Sequence, residues 1–186
     1  MKIRLVMLGK TRRAEIRALL EDYLGRIRHY AKIETIELRD PSAALRASPS
    51  ASPFDRASSR PAGRDAIPKH RGAQGKRGPA PSGAGRGGLR QLELGPAATW
   101  VLLDAGGKQL TSEQFACWLG ELRDRGTREL VFLCGDAQGF PDELRQKAHT
   151  KLSLSSLTLA HELARVVLAE QLYRAFAILA GHPYPK

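Results

Sequence analysis

Apolar positions along the chain follow two periods, and their alternation outlines a layered fold before any residue is given a role. Lys2 to Gly9 is dense in Ile, Leu and Val and stops at a glycine, which predicts a buried strand. Over 11–30, Ile16, Leu19, Leu20, Tyr23, Leu24 and Ile27 recur at helical spacing and leave Arg12, Arg13, Arg17, Arg26 and Arg28 toward water. Ile33, Ile36 and Leu38, with Thr35 among them, suit a second strand over 32–39. Order returns at Thr99–Asp104, a third strand that runs into Gly106 and Gly107. Thr111 and Gln114 have capping-box spacing, and the helix they open carries Phe115, Trp118, Leu119 and Leu122 on one face to about Arg125. A fourth strand, Glu129 to Cys134, ends in Gly135-Asp136-Ala137-Gln138-Gly139. Pro141 has the place of a first-turn proline before a short helix. Lys151 to Thr158 reads as a fifth, Ser-rich strand or loop, and a last helix covers roughly Leu159 to Ala180.

Strands alternating with helices imply an α/β class: a mostly parallel sheet with helices on both faces. Ligands in such sheets bind beyond the carboxyl ends of the strands. Three of those ends stand out: Leu103-Asp104 with two glycines behind it, Gly135 to Gly139, and Leu154 to Leu159.

The pattern collapses between Pro41 and Pro96, where Ser, Pro, Ala, Gly and Arg dominate and apolar residues are isolated. Such a stretch has too little to bury to offset the entropy of ordering its backbone. The expectation is one domain over 1–186, interrupted by a disordered basic insert at about 42–96. Most of the net charge of +11 falls there: residues 42–91 hold ten Lys/Arg and two acids, or +8. A polyanion, nucleic acid first, is the partner such a field attracts.

Other classes are excluded by what is missing. Cys117 and Cys134 match no zinc spacing, no metal site is expected, and both are read as buried thiols within apolar runs. Ile3 to Leu8 is too short for a signal-peptide core, and no 18 apolar residues follow one another, so a cytoplasmic protein with no membrane partner is expected. Neither a Gly-x-Gly-x-x-Gly after a strand nor a phosphate-loop signature occurs.

What remains is a dense C-terminal run: Leu152 to Arg165, Glu170-Gln171-Leu172-Tyr173-Arg174-Ala175, and His182-Pro183-Tyr184. From spacing alone two readings stay open. Leu154, Leu157 and Leu159 are core residues behind serines that cap the last helix, or they are the wall of a pocket. Taken with Leu103-Asp104-Ala-Gly-Gly-Lys108 and Thr111 to Ala116, the run resembles the SPOUT-class methyltransferases of the RlmH type. The resemblance covers about 1–40 and 99–186. It implies methylation of N3 of a pseudouridine in bacterial 23S ribosomal RNA on assembled ribosomes, with S-adenosyl-L-methionine as cofactor. It also implies a C-terminal trefoil knot, which no periodicity would suggest, and a homodimer with its active site at the subunit interface. By the same resemblance the cofactor is held by Leu103, Gly135, Leu154, Ser155, Ser156, Leu157, Thr158 and Leu159. Aliphatic walls with a few hydroxyl and backbone groups suit an adenine-bearing ligand.

Displacement at a sulfonium methyl needs an aligned nucleophile, and N3 must lose a proton, so a base or an anion-stabilising group is expected. The candidates are His161, Arg165, Tyr173, Arg174, His182 and Tyr184. His161 and Arg165, four apart, share a helix face. His161 alternatively caps the helix, and Arg174 alternatively pairs with Glu170. Arg165 has no acid at helical offset on its C-terminal side, which favours a phosphate or substrate role. Two positions depart from the family: Pro185 stands where a histidine is usual, and Asp136 where a second glycine is usual. They leave room for a non-catalytic RNA-binding protein of the same fold, or for another RNA target.

Overall fold

The computed structural model describes residues 1–39, 98–136 and 138–182. The expected insert at 42–96 and the candidate Tyr184 lie outside the described residues. Among those residues five strands form a single sheet: β1 (Lys2–Leu8), β2 (Lys32–Leu38), β3 (Thr99–Gln109), β4 (Glu129–Cys134) and β5 (Thr150–Ser153). Their order is β2-β1-β4-β3-β5, and every pairing is parallel.

A parallel sheet must be covered on both faces, and the alternation along each strand supplies two apolar surfaces. Ile3, Leu5 and Met7 of β1 share one face with Leu130 and Phe132 of β4. That face carries α1 (Ala14–Ile27), α2 (Ser112–Asp124) and α4 (His161–Leu179). Val6, Leu8, Trp100, Leu102, Val131 and Leu133 form the other face, on which Phe140 and, from α3 (Asp142–Lys147), Leu144 pack. The expected class, α/β with helices on both faces, is the observed one.

The helices begin for different reasons. At α2 the expected capping box is present: Gln114 N–H donates to Thr111 Oγ1 at 3.2 Å, and Thr111 N–H donates to Gln114 Oε1 at 3.0 Å. Helix α1 has no side-chain cap of its own at Arg13. The Glu162 carboxylate of α4 takes that place, accepting the backbone N–H groups of Arg12 at 2.9 Å and Arg13 at 3.4 Å. Helix α4 packs against both α1 and α2 and buries residues around most of its girth, Leu168, Ala169, Leu172 and Ala175 among them.

Several boundaries and one burial differ from expectation. Pro141 is the N-cap of α3 rather than its first residue, and α4 starts at His161 rather than Leu159. Strand β3 runs on to Gln109, but its pairing with β5 slips: Leu103 and Lys108 both face Leu152, so Asp104–Gly107 loops out between them. Cys134 is buried, whereas Cys117 is exposed. The apolar run around Cys117 misled, because helical turning buries Phe115, Ala116 and Leu119 and carries residue 117 to the wet side.

Candidate active site

Beyond the carboxyl ends of β3, β4 and β5 lies a cavity of about 560 Å³, walled by Leu103 and Asp104, by Cys134 to Asp136 with Gln138 to Phe140, and by the chain from Leu152 to His161. These are the three strand ends singled out by the sequence. Each is held by local chemistry. Asp104 Oδ1 accepts the Gly106 N–H at 2.9 Å, an Asx turn that starts the loop out of β3. Gly107 returns the chain against β5 so closely that a Cβ there would stand 2.7 Å from the Leu152 backbone. Only glycine fits.

After β4 the chain reverses between Asp136 and Gly139. Asp136 Oδ1 accepts the Gln138 N–H at 2.9 Å, and Gly139 holds a φ of +80°. Gly135 lies beneath this turn, where a Cβ would meet the Phe140 ring at 3.1 Å. The carboxylate that replaces a usual glycine is thus engaged in shaping the turn. Arg145 of α3 joins the two turns: its guanidinium lies 3.1 Å from Asp104 Oδ2 and donates from Nε to the Phe140 carbonyl at 3.3 Å.

The segment after β5 is non-helical from Leu154 to Ala160 and is stitched by its own serines. Ser153 Oγ donates to the Ser155 carbonyl at 2.9 Å, and Ser155 Oγ accepts the Leu157 N–H at 2.9 Å. Leu157 is 75 % exposed at the rim. Of the eight residues expected to hold a cofactor, Leu103, Gly135, Leu154, Ser155, Leu157, Thr158 and Leu159 line the cavity. Ser156 is exposed beside it.

The five described catalytic candidates do not come together in one chain. His161, at the first position of α4, lines the cavity, and Ala160 before it leaves the helix without a side-chain cap. Arg165 is 0 % exposed and donates to Thr11 Oγ1 at 2.8 Å and to the carbonyls of Leu8 and Gly9. The expectation that it meets phosphate or substrate is therefore corrected: this guanidinium ties α4 to the end of β1. With no acid at helical offset on its C-terminal side, its donors reach carbonyls across the fold. Tyr173, Arg174 and His182 lie at the opposite end of α4, roughly 18 Å or more along the axis from His161. There Arg174 pairs with Glu170 at 2.7 Å, as its spacing allowed. Tyr173 and His182 join Tyr30 and Phe176 in an aromatic cluster, with Tyr30 Oη 2.8 Å from His182 Nδ1.

Two titration shifts mark the region. Burial pushes the Cys134 thiol up to about 12, against a smaller opposite pull from Arg165, so it stays protonated and is no nucleophile. The N–H of Arg12, more than that of Arg13, holds the Glu162 carboxyl below its ordinary value. Sequence reasoning missed Arg145 and Phe140. Arg145 has no motif around it, and only its fold partner Asp104 reveals it. Among the described residues no group of three metal-binding side chains gathers, and no helix is long and apolar enough to cross a membrane.

A family profile described as "Predicted SPOUT methyltransferase" matches residues 83–185. Curated relatives align almost end to end. "Ribosomal RNA large subunit methyltransferase H" of Geobacter sp. (strain M21) is 36 % identical over 99 % of this chain and 98 % of its own length. The protein of the same name from Trichlorobacter lovleyi is 37 % identical over 99 % of each chain, and that from Geotalea daltonii is 36 % identical, again over 99 % of each.

Proposed function

Because this chain belongs to the SPOUT methyltransferases, in the family of ribosomal RNA large subunit methyltransferase H, we propose that it methylates N3 of a pseudouridine in 23S ribosomal RNA on assembled ribosomes, with S-adenosyl-L-methionine as donor. The observation that carries this reading is the convergence of three non-contiguous strand ends on one cavity of about 560 Å³, inside the size range of small-molecule sites. The residues present fit the donor. Leu103, Leu154, Leu157 and Leu159 offer apolar walls for an adenine, while Ser155, Ser156 and Thr158 offer polar backbone and hydroxyl groups at its edges. With Asp104 paired to Arg145, Asp136 leaves one carboxylate at the cavity wall to face a cation.

S-adenosyl-L-methionine, when bound, supplies a methyl group on a positively charged sulfur. The chain's own task is to orient the base and take its N3 proton. His161 is the titratable candidate beside the cavity and is assigned that proton. Arg174, Tyr173, His182 and Tyr184 are assigned to the RNA base and its phosphates. Since the three of these that are described lie a helix length from the cavity of their own chain, the reading requires a homodimer in which a second copy brings the far end of its α4 to this pocket. Leu163 and Ile178 on α4 and Leu19 on α1 are exposed apolar side chains (48 %, 39 % and 47 %) that such a contact would cover. The single domain with a basic insert at 42–96, the trefoil knot of its C-terminal third and a cytoplasmic location belong to the same proposal.

The test is transfer of labelled methyl to large ribosomal subunits that lack the modification, followed by mapping of the labelled nucleotide. Label at N3 of a pseudouridine in 23S RNA is the expected result. Label on another nucleotide, or none while a curated relative succeeds alongside, overturns it.

A further inference from the structure

The loop Gly9–Arg13, between β1 and α1, is held far more firmly than a surface turn requires. Thr11 is 2 % exposed. Its N–H donates to Glu37 Oε1 at 2.9 Å, its carbonyl accepts from Arg17 at 2.7 Å, and its hydroxyl accepts from Arg165 at 2.8 Å. Glu162 takes the N–H groups of the next two residues, and Gly9 N–H donates to the Leu38 carbonyl at 2.8 Å. Strand β2 and helices α1 and α4 thus converge on five residues.

The side chains that this clamp presents are cationic. Lys10, Arg12 and Arg13 are exposed, and among the described residues none has an ion-pair partner. The nearby carboxylates of Glu37 and Glu162 are turned inward onto loop N–H groups, so acids fix the backbone while bases face water. The anion site that a helix N-terminus offers is already taken by Glu162. What stands available is the trio of side chains.

Its position is the second observation. A Cβ on Gly9 would lie 4.0 Å from Asp136 Cβ, and Glu162 follows His161 directly, so the loop abuts two walls of the cavity. β1 and β4 are neighbours in the sheet, which sets their exit loops side by side.

We propose that Lys10, Arg12 and Arg13 form a preorganised rim that grips the phosphate backbone of the RNA beside the base presented to the cavity. The proposal rests on the ribosomal RNA reading above. A rigid loop with outward cations binds phosphates without ordering its backbone at the moment of contact, and such contacts set position rather than sequence.

The experiment uses the full chain with Arg12→Gln and Arg13→Gln together, which leaves the backbone N–H groups for Glu162. Methyl transfer to unmodified large subunits is followed across potassium chloride concentrations, and S-adenosyl-L-methionine binding is measured by calorimetry. The expected result is a KM for the subunit raised about tenfold, a salt dependence of log(kcat/KM) shallower by about two, and unaltered donor affinity. An unchanged KM and salt slope overturns the proposal. So does a loss confined to kcat, which would make the loop a support for α4 alone. Should the parent chain transfer no methyl, the functional reading fails on its own, and filter binding of large-subunit RNA decides the loop. Equal affinity and equal salt slope for parent and variant would then sink it.

Discussion

The two ends of α4 carry the same kinds of side chain and put them to opposite uses. At the amino end Arg165 lies wholly inside the protein, bonded to Thr11 and to the carbonyls of Leu8 and Gly9, while Glu162 caps another helix. At the carboxyl end Arg174 keeps 26 % of its side chain exposed, beside Glu170 and an aromatic cluster. One arginine is a rivet and the other a presented group. Nine residues apart on one helix, they differ because the amino end runs over the exit of β1, with orphan carbonyls to satisfy, whereas Arg174 finds Glu170 one turn earlier on its own helix. A motif reading that assigns both to the substrate treats the helix as a string rather than as a rod with two environments.

The sharpest attack on this comparison mixes the two ends. His161→Ala and Arg174→Ala are each expected to lower methyl transfer by about a hundredfold. Co-expressed chains carrying one change apiece should recover about a quarter of the parent activity, because half the dimers are mixed and each mixed dimer has one intact site. No recovery would mean that both groups serve a pocket of their own chain.

Stability separates the arginines next. Arg165→Met strands a hydroxyl and two carbonyls in the interior and should cost about 3 kcal/mol in urea unfolding. Arg174→Met should cost about 1 kcal/mol or less. Equal costs would erase the distinction.

Acid sharpens it further. Glu162 has a folded-state pKa below its ordinary value of 4.5, so its contribution is full above that pH and is lost as pH falls through the lower, folded value. Glu162→Gln should melt earlier than the parent near neutral pH, and the gap should close as the pH falls below 4.5 through the lowered, folded value. A gap independent of pH would show that the amide replaces the carboxylate cap in full. The smallest effect concerns the thiols. One equivalent of a thiol reagent should react with the native protein at Cys117, and a second only on unfolding, since Cys134 is buried and its pKa lies near 12. Rapid double labelling of folded protein would contradict the burial of β4.

Much of the molecule was legible because burial leaves a periodic trace. β1, β2 and β4 follow their apolar runs to within a residue, and Thr111 with Gln114 spelled out the start of α2. Two of the three loops around the cavity were marked by glycines that a turn or close approach demands, Gly107 in the β3 loop and Gly135 and Gly139 after β4. The shortfalls share a cause. Cys117 sat in an apolar run yet faces water, and Arg145 joins the site through a partner 41 positions away. Arg165 was misassigned because only acids on its own helix were considered.

The sequence alone therefore established the order of strands and helices along the chain, and which strand ends line the cavity, since both follow from local spacing and from steric demands on single residues. Tertiary structure decided which cations are spent and which are free. Thr11 and Arg165, or Arg12 and Glu162, lie about 150 positions apart, and a hydrogen bond over that separation leaves no trace in the neighbourhood of either partner.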